Sequence, residues 1–183
     1  MKRAKVASPR PRLCVQLFNR QKTRRVNLPL WRRVILRLLD GILTGRRRNR
    51  ATESWPAGGQ LGVHLIQAGE MARLNQAFLG QAGSTDVLAF NYQEGAQEKG
   101  MLCGEIFISV DDAVACAPRF RTTWQPELVR YLVHGLLHLQ GYDDRRTAAR
   151  RAMKKLENRL LKQLSLSFDW GRLERLKNGT RRK

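Results

Sequence analysis

Acidic side chains are scarce in this chain: fifteen Asp and Glu stand against thirty-five Lys and Arg in 183 residues, a formal net charge of +20. The shortage is uneven. Residues 1–60 carry 16 basic and 2 acidic side chains, residues 61–144 carry 5 and 10, and residues 145–183 carry 14 and 3. An acidic centre therefore lies between two basic flanks. Such flanks suit a polyanion, because each phosphate neutralised releases condensed counterions. The plainer reading is a pair of basic tails that aid solubility or touch acidic lipid, but no lipidation signal or amphipathic membrane anchor accompanies them.

Cysteine is also sparse. Cys14, Cys103 and Cys116 form no C-x-x-C pair and no even-numbered framework, which excludes a disulfide scaffold and fits a reducing compartment. No apolar run approaches the roughly 20 residues of a membrane span. The basic start, Met1-Lys2-Arg3, meets Pro9 and Pro11 before any apolar stretch, so a secretory signal is not expected and a cytoplasmic location is. The four tryptophans are scattered, which argues against a base-stacking platform; Trp31 reads as core. With 42% apolar and 27% charged residues, the composition is that of one ordinary globular domain with tails.

The expected organisation is a basic disordered tail over 1–11, a folded domain over 12–168 and a basic tail over 169–183, loose from Gly171. Leu13, Val15 and Leu17 alternate as a strand. Pro29 opens a helix in which Trp31, Val34, Ile35, Leu38 and Leu39 recur at helical spacing. Residues 45–60 read as an exposed basic loop. Leu61, Val63 and Leu65 mark a second strand, Glu70–Phe78 a short helix, and Val87–Phe90 a third strand. Residues 91–101 form a loop, Gly104–Val110 a fourth strand, and Asp111-Asp112 a cap for the following helix. An apolar helix over 125–139 stops at Gly141. A last helix from Thr147 to Leu164 buries Met153, Leu156, Leu160 and Leu164, with Arg146, Arg150, Lys154 and Lys155 outside. Strands and helices mix without strict alternation, so the fold class is α+β, one domain with a small central mixed sheet packed by helices.

The chemistry concentrates in Val133-His134-Gly135-Leu136-Leu137-His138-Leu139-Gln140-Gly141-Tyr142-Asp143-Asp144. Two histidines four apart on a helix share a face one turn apart and can grip one metal ion in the zincin manner. The glycine turns the chain back, so that Asp144 can supply a third ligand. Three protein ligands leave one coordination position for solvent. The chain has only three histidines, and two fall at this spacing on an otherwise apolar helix, where a polar ring needs a partner. A metallopeptidase would carry Glu as general base after the first histidine; Gly135 stands there instead, which removes that base. No other residue is assigned a catalytic role by the pattern.

Other polar residues have plainer readings. Arg130, one turn before His134, reads as an exposed helix arginine. Thr85, Asp86 and Asp143 read as turn or capping residues, although Asp143 could also orient a ligating histidine. His64 reads as structural, and Arg46, Arg47 and Arg48 as a solvated loop that can also face a polyanion.

The run His134-Gly-Leu-Leu-His138-Leu-Gln-Gly141-Tyr142-Asp143, with Ser84-Thr85-Asp86-Val87-Leu88-Ala89-Phe90 and Gly104-Glu105-Ile106, resembles the YbeY family of bacterial rRNA maturation factors. The resemblance spans about residues 60–145, with weaker agreement over 13–43. It implies a single zinc ion and cytoplasmic, single-strand-specific endoribonuclease activity on ribosomal RNA precursors. Small-subunit 3′-end processing, the small ribosomal subunit as partner and a part in ribosome quality control are implied too, with no membrane or DNA partner. Within that resemblance, His134, His138 and Asp144 are the metal ligands. Three positions depart from the family pattern: Asp144 replaces a usual third histidine, Leu79 an arginine and Ala89 a serine. The competing expectation is a non-catalytic RNA-binding assembly factor that keeps its metal.

Overall fold

The computed structural model describes residues 13–46, 58–92 and 101–175. The expected tails over 1–11 and 176–183, and most of the loops expected over 45–60 and 91–101, lie outside the described residues. The strands are β1 (Leu13–Asn19), β2 (Gly58–Ile66), β3 (Val87–Asn91) and β4 (Met101–Ser109). They form one sheet in the order β1-β2-β4-β3. β1, β2 and β4 are parallel, and β3 runs antiparallel to β4 along the opposite edge. The helices are α1 (Leu28–Arg46), α2 (Ala68–Leu79), α3 (Val110–Cys116), α4 (Trp124–Leu139) and α5 (Thr147–Ser165). The expected α+β class and mixed sheet are what the structure shows.

The main core lies between one sheet face and the helices α1, α4 and α5. Leu61, Val63, Leu65, Ile106 and Ile108 meet Trp31, Ile35, Leu38, Leu128, Leu132 and Leu136 there. A smaller cluster of Ile66, Met71 and Leu88 sits under α2 on the other face. Central strand β2 is buried along almost its whole length, as expected of a strand covered on both faces.

Three local readings change. Val110 is not the end of a strand but the first residue of α3, and the cap of α3 is Ser109, whose hydroxyl accepts the Asp112 N–H at 3.2 Å. Asp111 serves a different helix: its carboxylate accepts the N–H of Ala68, first residue of α2, at 2.7 Å, and the Thr23 hydroxyl. Asp112 accepts the Ser84 hydroxyl. An anionic side chain at an N-terminus satisfies orphan donors wherever it comes from, and here it arrives from the next element in space. Third, the segment after Asp169 is not loose through Arg175. Trp170–Leu173 form a 3₁₀ turn, Leu173 is fully buried, and Glu174 bridges to Val26.

Gly135 explains how closely α4 rests on the sheet. A Cβ at this position would lie 2.8 Å from Ile106 Cγ2 and 3.0 Å from Val87 Cγ2. A side chain fits only if Ile106 and Val87 shift, so packing as well as sequence stands against the glutamate of a metallopeptidase. Overpacking costs roughly 1–3 kcal/mol, whereas Ala gains about 1 kcal/mol of helix propensity over Gly. Gly135→Ala is therefore expected to lower unfolding free energy by about 1 kcal/mol, the middle of the overpacking range less the propensity gain. Urea titration checks this, and an unchanged or raised midpoint would show that β3 or β4 yields freely.

Candidate metal centre

Helix α4 presents its two histidines from a stretch buried on nearly every side. The chain then turns at Gly141, whose φ of 81° is easy only for glycine. This turn returns Asp144 to the histidines. One donor atom from each of His134, His138 and Asp144 lies within 4.8 Å of the others. The histidine Nε2 atoms are 3.0 Å apart, and Asp144 Oδ2 is 3.8 Å from His134 Nε2. Two donors placed 2.0–2.1 Å from one ion at the tetrahedral angle are about 3.3–3.4 Å apart, so the spacing suits a single small cation.

The outer nitrogens show what the inner ones offer. His138 Nδ1 lies 3.1 Å from the Tyr142 carbonyl oxygen, and His134 Nδ1 lies 3.3 Å from Glu157 Oε2. Both partners are acceptors, so each Nδ1 carries a hydrogen and the second nitrogen, Nε2, is the one that turns inward. The two Nε2 atoms face each other across 3.0 Å, close enough to share one cation. Burial, followed by the neighbouring charge of His134, holds His138 below the usual histidine pKa, which favours the neutral, metal-binding form. Outer-nitrogen partners of this kind commonly orient metal-binding histidines.

Glu157, not singled out in the sequence, holds this arrangement together. Its side chain is 3% exposed. Oε1 accepts from Arg130 Nη1 at 2.7 Å and Lys154 Nζ at 2.6 Å, while Oε2 faces His134. The signal was present: Met153, Glu157, Leu160 and Leu164 form the buried stripe of α5, and the acid occupies a position that periodicity reserves for an apolar residue. Leu156, expected inside, is only half-buried. Arg130, expected to be an exposed helix arginine, is instead part-buried and bonded to Glu157.

A cleft of about 240 Å³ opens beside the histidines, lined by Asp86, Tyr131, Arg150 and Lys154 among others. Arg150 Nε donates to the Asp144 carbonyl oxygen at 2.9 Å and so fixes the turn that carries the carboxylate. Arg150 and Lys154 are exposed on α5, as expected, and also line the cleft. Asp86 accepts its own chain's Val87 N–H at 3.0 Å and the Thr85 hydroxyl at 3.1 Å, the turn role expected of it, while also lining the cleft. Asp143 accepts the Arg145 N–H at 3.0 Å, a turn residue. Leu79 and Ala89 do not line this cleft. His64 is buried far along the sheet, stacked between Phe18 and Phe107 with ring centroids 4.5 and 4.3 Å away, and bonded to Glu105 at 2.9 Å. Burial holds its pKa below the usual value against the pull of Glu105, in keeping with a structural role.

A mixed sheet carrying a helix with two convergent imidazoles and a loop carboxylate defines an α+β domain with a possible metal site. The family model described as endoribonuclease YbeY matches residues 16–165, and the chain belongs to that family. Endoribonuclease YbeY of Thermodesulfovibrio yellowstonii is 31% identical over 159 residues, covering 84% of this chain and 98% of that protein. The Salinibacter ruber protein of the same name is 38% identical over 106 residues, 55% of this chain and 68% of its own. The Chlorobium phaeobacteroides protein is 40% identical over 103 residues, 56% of this chain and 68% of its own. The solution structure of TM1509 from Thermotoga maritima shares the fold with a TM-score of 0.53 at 21% identity, covering 91% of this chain and 99% of that one.

Glu157 yields a pH prediction. Burial alone would raise its carboxyl pKa, but hydrogen bonds from His134, Lys154 and Arg130 outweigh burial and hold it at about 2, against 4.5 for an unperturbed group. A depressed folded-state pKa favours the fold above the unfolded value, and that contribution is lost as pH falls from 4.5 towards 2. Its size is roughly 3 kcal/mol. Urea unfolding followed across this window is expected to lose that much stability, and Glu157→Gln to flatten the slope. A variant with the wild-type slope would place the acid sensitivity elsewhere.

Proposed function

We propose that this chain is a zinc-dependent endoribonuclease that cuts single-stranded ribosomal RNA precursors in the cytoplasm. Its context is 3′-end maturation of the small-subunit RNA and the quality control of ribosomes. His134, His138 and Asp144 are the metal ligands. The observation that carries the reading is the pair of Nε2 atoms 3.0 Å apart beside a carboxylate and an open cleft. Two imidazoles and one carboxylate suit zinc among the biological divalent ions, and three ligands rather than four mark a catalytic and not a structural site.

The bound ion supplies Lewis acidity for the phosphoryl group. The protein does the rest through charge and position. Glu157 keeps His134 in the tautomer that points Nε2 inward. Arg150, held at Nε by the Asp144 carbonyl, has its terminal nitrogens free of hydrogen bonds to described residues and meets a phosphate oxygen at the cleft. Lys154 adds a second cation whose ammonium is anchored on Glu157. Cations fixed in this way stabilise negative charge as it develops. They also stand in for the arginine that Leu79 replaces. Among the described residues no helix is long and apolar enough to cross a membrane, which agrees with action on a dissolved RNA.

A non-catalytic RNA-binding assembly factor is the second reading, favoured by Leu79, which sits 56% exposed at the end of α2 and brings no charge. Purified, metal-quantified protein mixed with single-stranded RNA separates the two. The wild type is expected to hold about one zinc per chain and to cleave, and His138→Ala and Asp144→Ala to lose metal and at least about 100-fold in cleavage rate. Cleavage that survives both substitutions would sink the metal site, and wild-type binding without cleavage would favour the assembly factor.

A further inference from the structure

A second cleft, of about 730 Å³, opens at the β1 edge, where the loop between β1 and α1 meets the segment after the last 3₁₀ turn. The His134 cleft belongs to the other edge, since it includes Asp86 at the start of β3. Lys22, Arg24, Arg25 and Arg175 line the second cleft, and no acidic side chain is among its lining residues. None of these four cations forms an ion pair with a described residue. The nearby acid Asp111 is taken up by Thr23 and the Ala68 N–H.

Two further observations point to an anion. Arg24 Nε is buried without a hydrogen-bond partner among the described residues, an uncommon state for a charged donor. The cleft also takes in Leu28 and Pro29, the first residues of 19-residue α1, whose first turn carries no acidic residue. Asn27 Oδ1 caps this start by accepting the Leu30 N–H at 3.2 Å and Pro29 has no N–H, so the helix contributes the positive end of its dipole and not open donors. The site is assembled by main-chain pairing: Asn27 N–H donates to Leu173 O at 2.8 Å, Arg175 N–H donates to Arg25 O at 2.7 Å, and Val26 bridges Glu174. This pairing sets Arg175 beside Arg25, with Leu173 anchored in the core.

We infer that this cleft is a phosphate-binding subsite for the backbone of the same RNA strand that the His134 cleft cuts. The inference rests on the RNA reading above. The two clefts lie at opposite edges of a four-stranded sheet whose three strand spacings alone span roughly 14 Å, so a strand engaged at both crosses at least a few nucleotides, in keeping with the roughly 4–16 that single-strand binders contact. An anionic membrane fits less well, because the cations lie in a concavity whose apolar members Val26 and Leu28 are buried or half-buried, which leaves Pro29 alone exposed and no broad apolar face to insert.

The test uses fluorescence anisotropy with a single-stranded 2′-O-methyl phosphorothioate oligonucleotide, which resists cleavage, over a range of salt. Arg25 and Arg175 are exposed, so an Arg25→Gln/Arg175→Gln variant is expected to fold, as thermal melting checks. Its affinity is expected to drop several-fold, and its slope of log K against log salt to shrink by about 0.7–1.4, one to two phosphate contacts. Arg159→Gln, an exposed change on α5, is expected to leave the slope unchanged. Equal losses in both variants would reduce the effect to net charge and overturn the inference, as would unchanged binding in the double variant. Phosphatidylserine vesicles that lose the double variant while the oligonucleotide keeps it, or inorganic phosphate that alone shows the dependence, would overturn it too. A wild type that binds in the expected way but never cleaves RNA would sink the nuclease and leave the subsite standing.

Discussion

Glu157 is a carboxylate almost out of reach of water, and the arrangement of the centre depends on its pairing. It bridges α5 to α4 by accepting from Arg130 and Lys154 and by receiving the Nδ1 hydrogen of His134. An isolated buried carboxylate would be costly. Three positive or polar donors offset that cost, and the geometry they require sets the orientation of the imidazole. The same contact therefore serves stability and chemistry: it holds two helices together and decides which nitrogen turns inward.

The sheet sets the second constraint. Helix α4 approaches Ile106 and Val87 so closely that Gly135 has no room for a Cβ. That approach puts His134 and His138 at the β3 edge, near the turn that carries Asp86, and not deep in the core. Asn91 Nδ2 reaches the Leu139 carbonyl oxygen at 3.4 Å and helps hold the C-terminal end of α4 against β3. A helix buried along nearly all of its surface leaves the stripe of Arg130, His134 and His138 partly exposed beside the cleft.

Local periodicity made much of this legible. The strands at Leu13, Leu61 and Val87, the helices at Pro29, Glu70 and Gln125, and the His134/His138/Gly141/Asp144 grouping all depend on residues within a turn or two of one another, and the structure brings the last three donors together. What was missed depends on pairings across the chain. Asp111 caps a helix whose first residue is 43 positions away, and Arg130 meets Glu157 across 27. Glu157 could have been noticed as an acid on an apolar stripe, but its partners could not be read from spacing. Nothing local announces that Arg175 lies beside Arg25, because a main-chain bridge with no side-chain signature joins them. The metal identity and the RNA belong to the proposal, since donor geometry narrows them and the family resemblance completes the reading.

The order of the elements along the chain matters when the protein is made. The parallel pairings of β1 with β2 and of β2 with β4 join segments more than forty residues apart, and such contacts form slowly. Glu157, Arg150 and Lys154 follow all four strands, and Leu173 follows them. A nascent chain that has delivered only the strands and α4 has two histidines with no carboxylate to orient them and a core missing its last apolar residue. On the proposed site, nuclease competence arrives late in synthesis, after the scaffold, so a half-made chain is poorly equipped to cut the RNA around it.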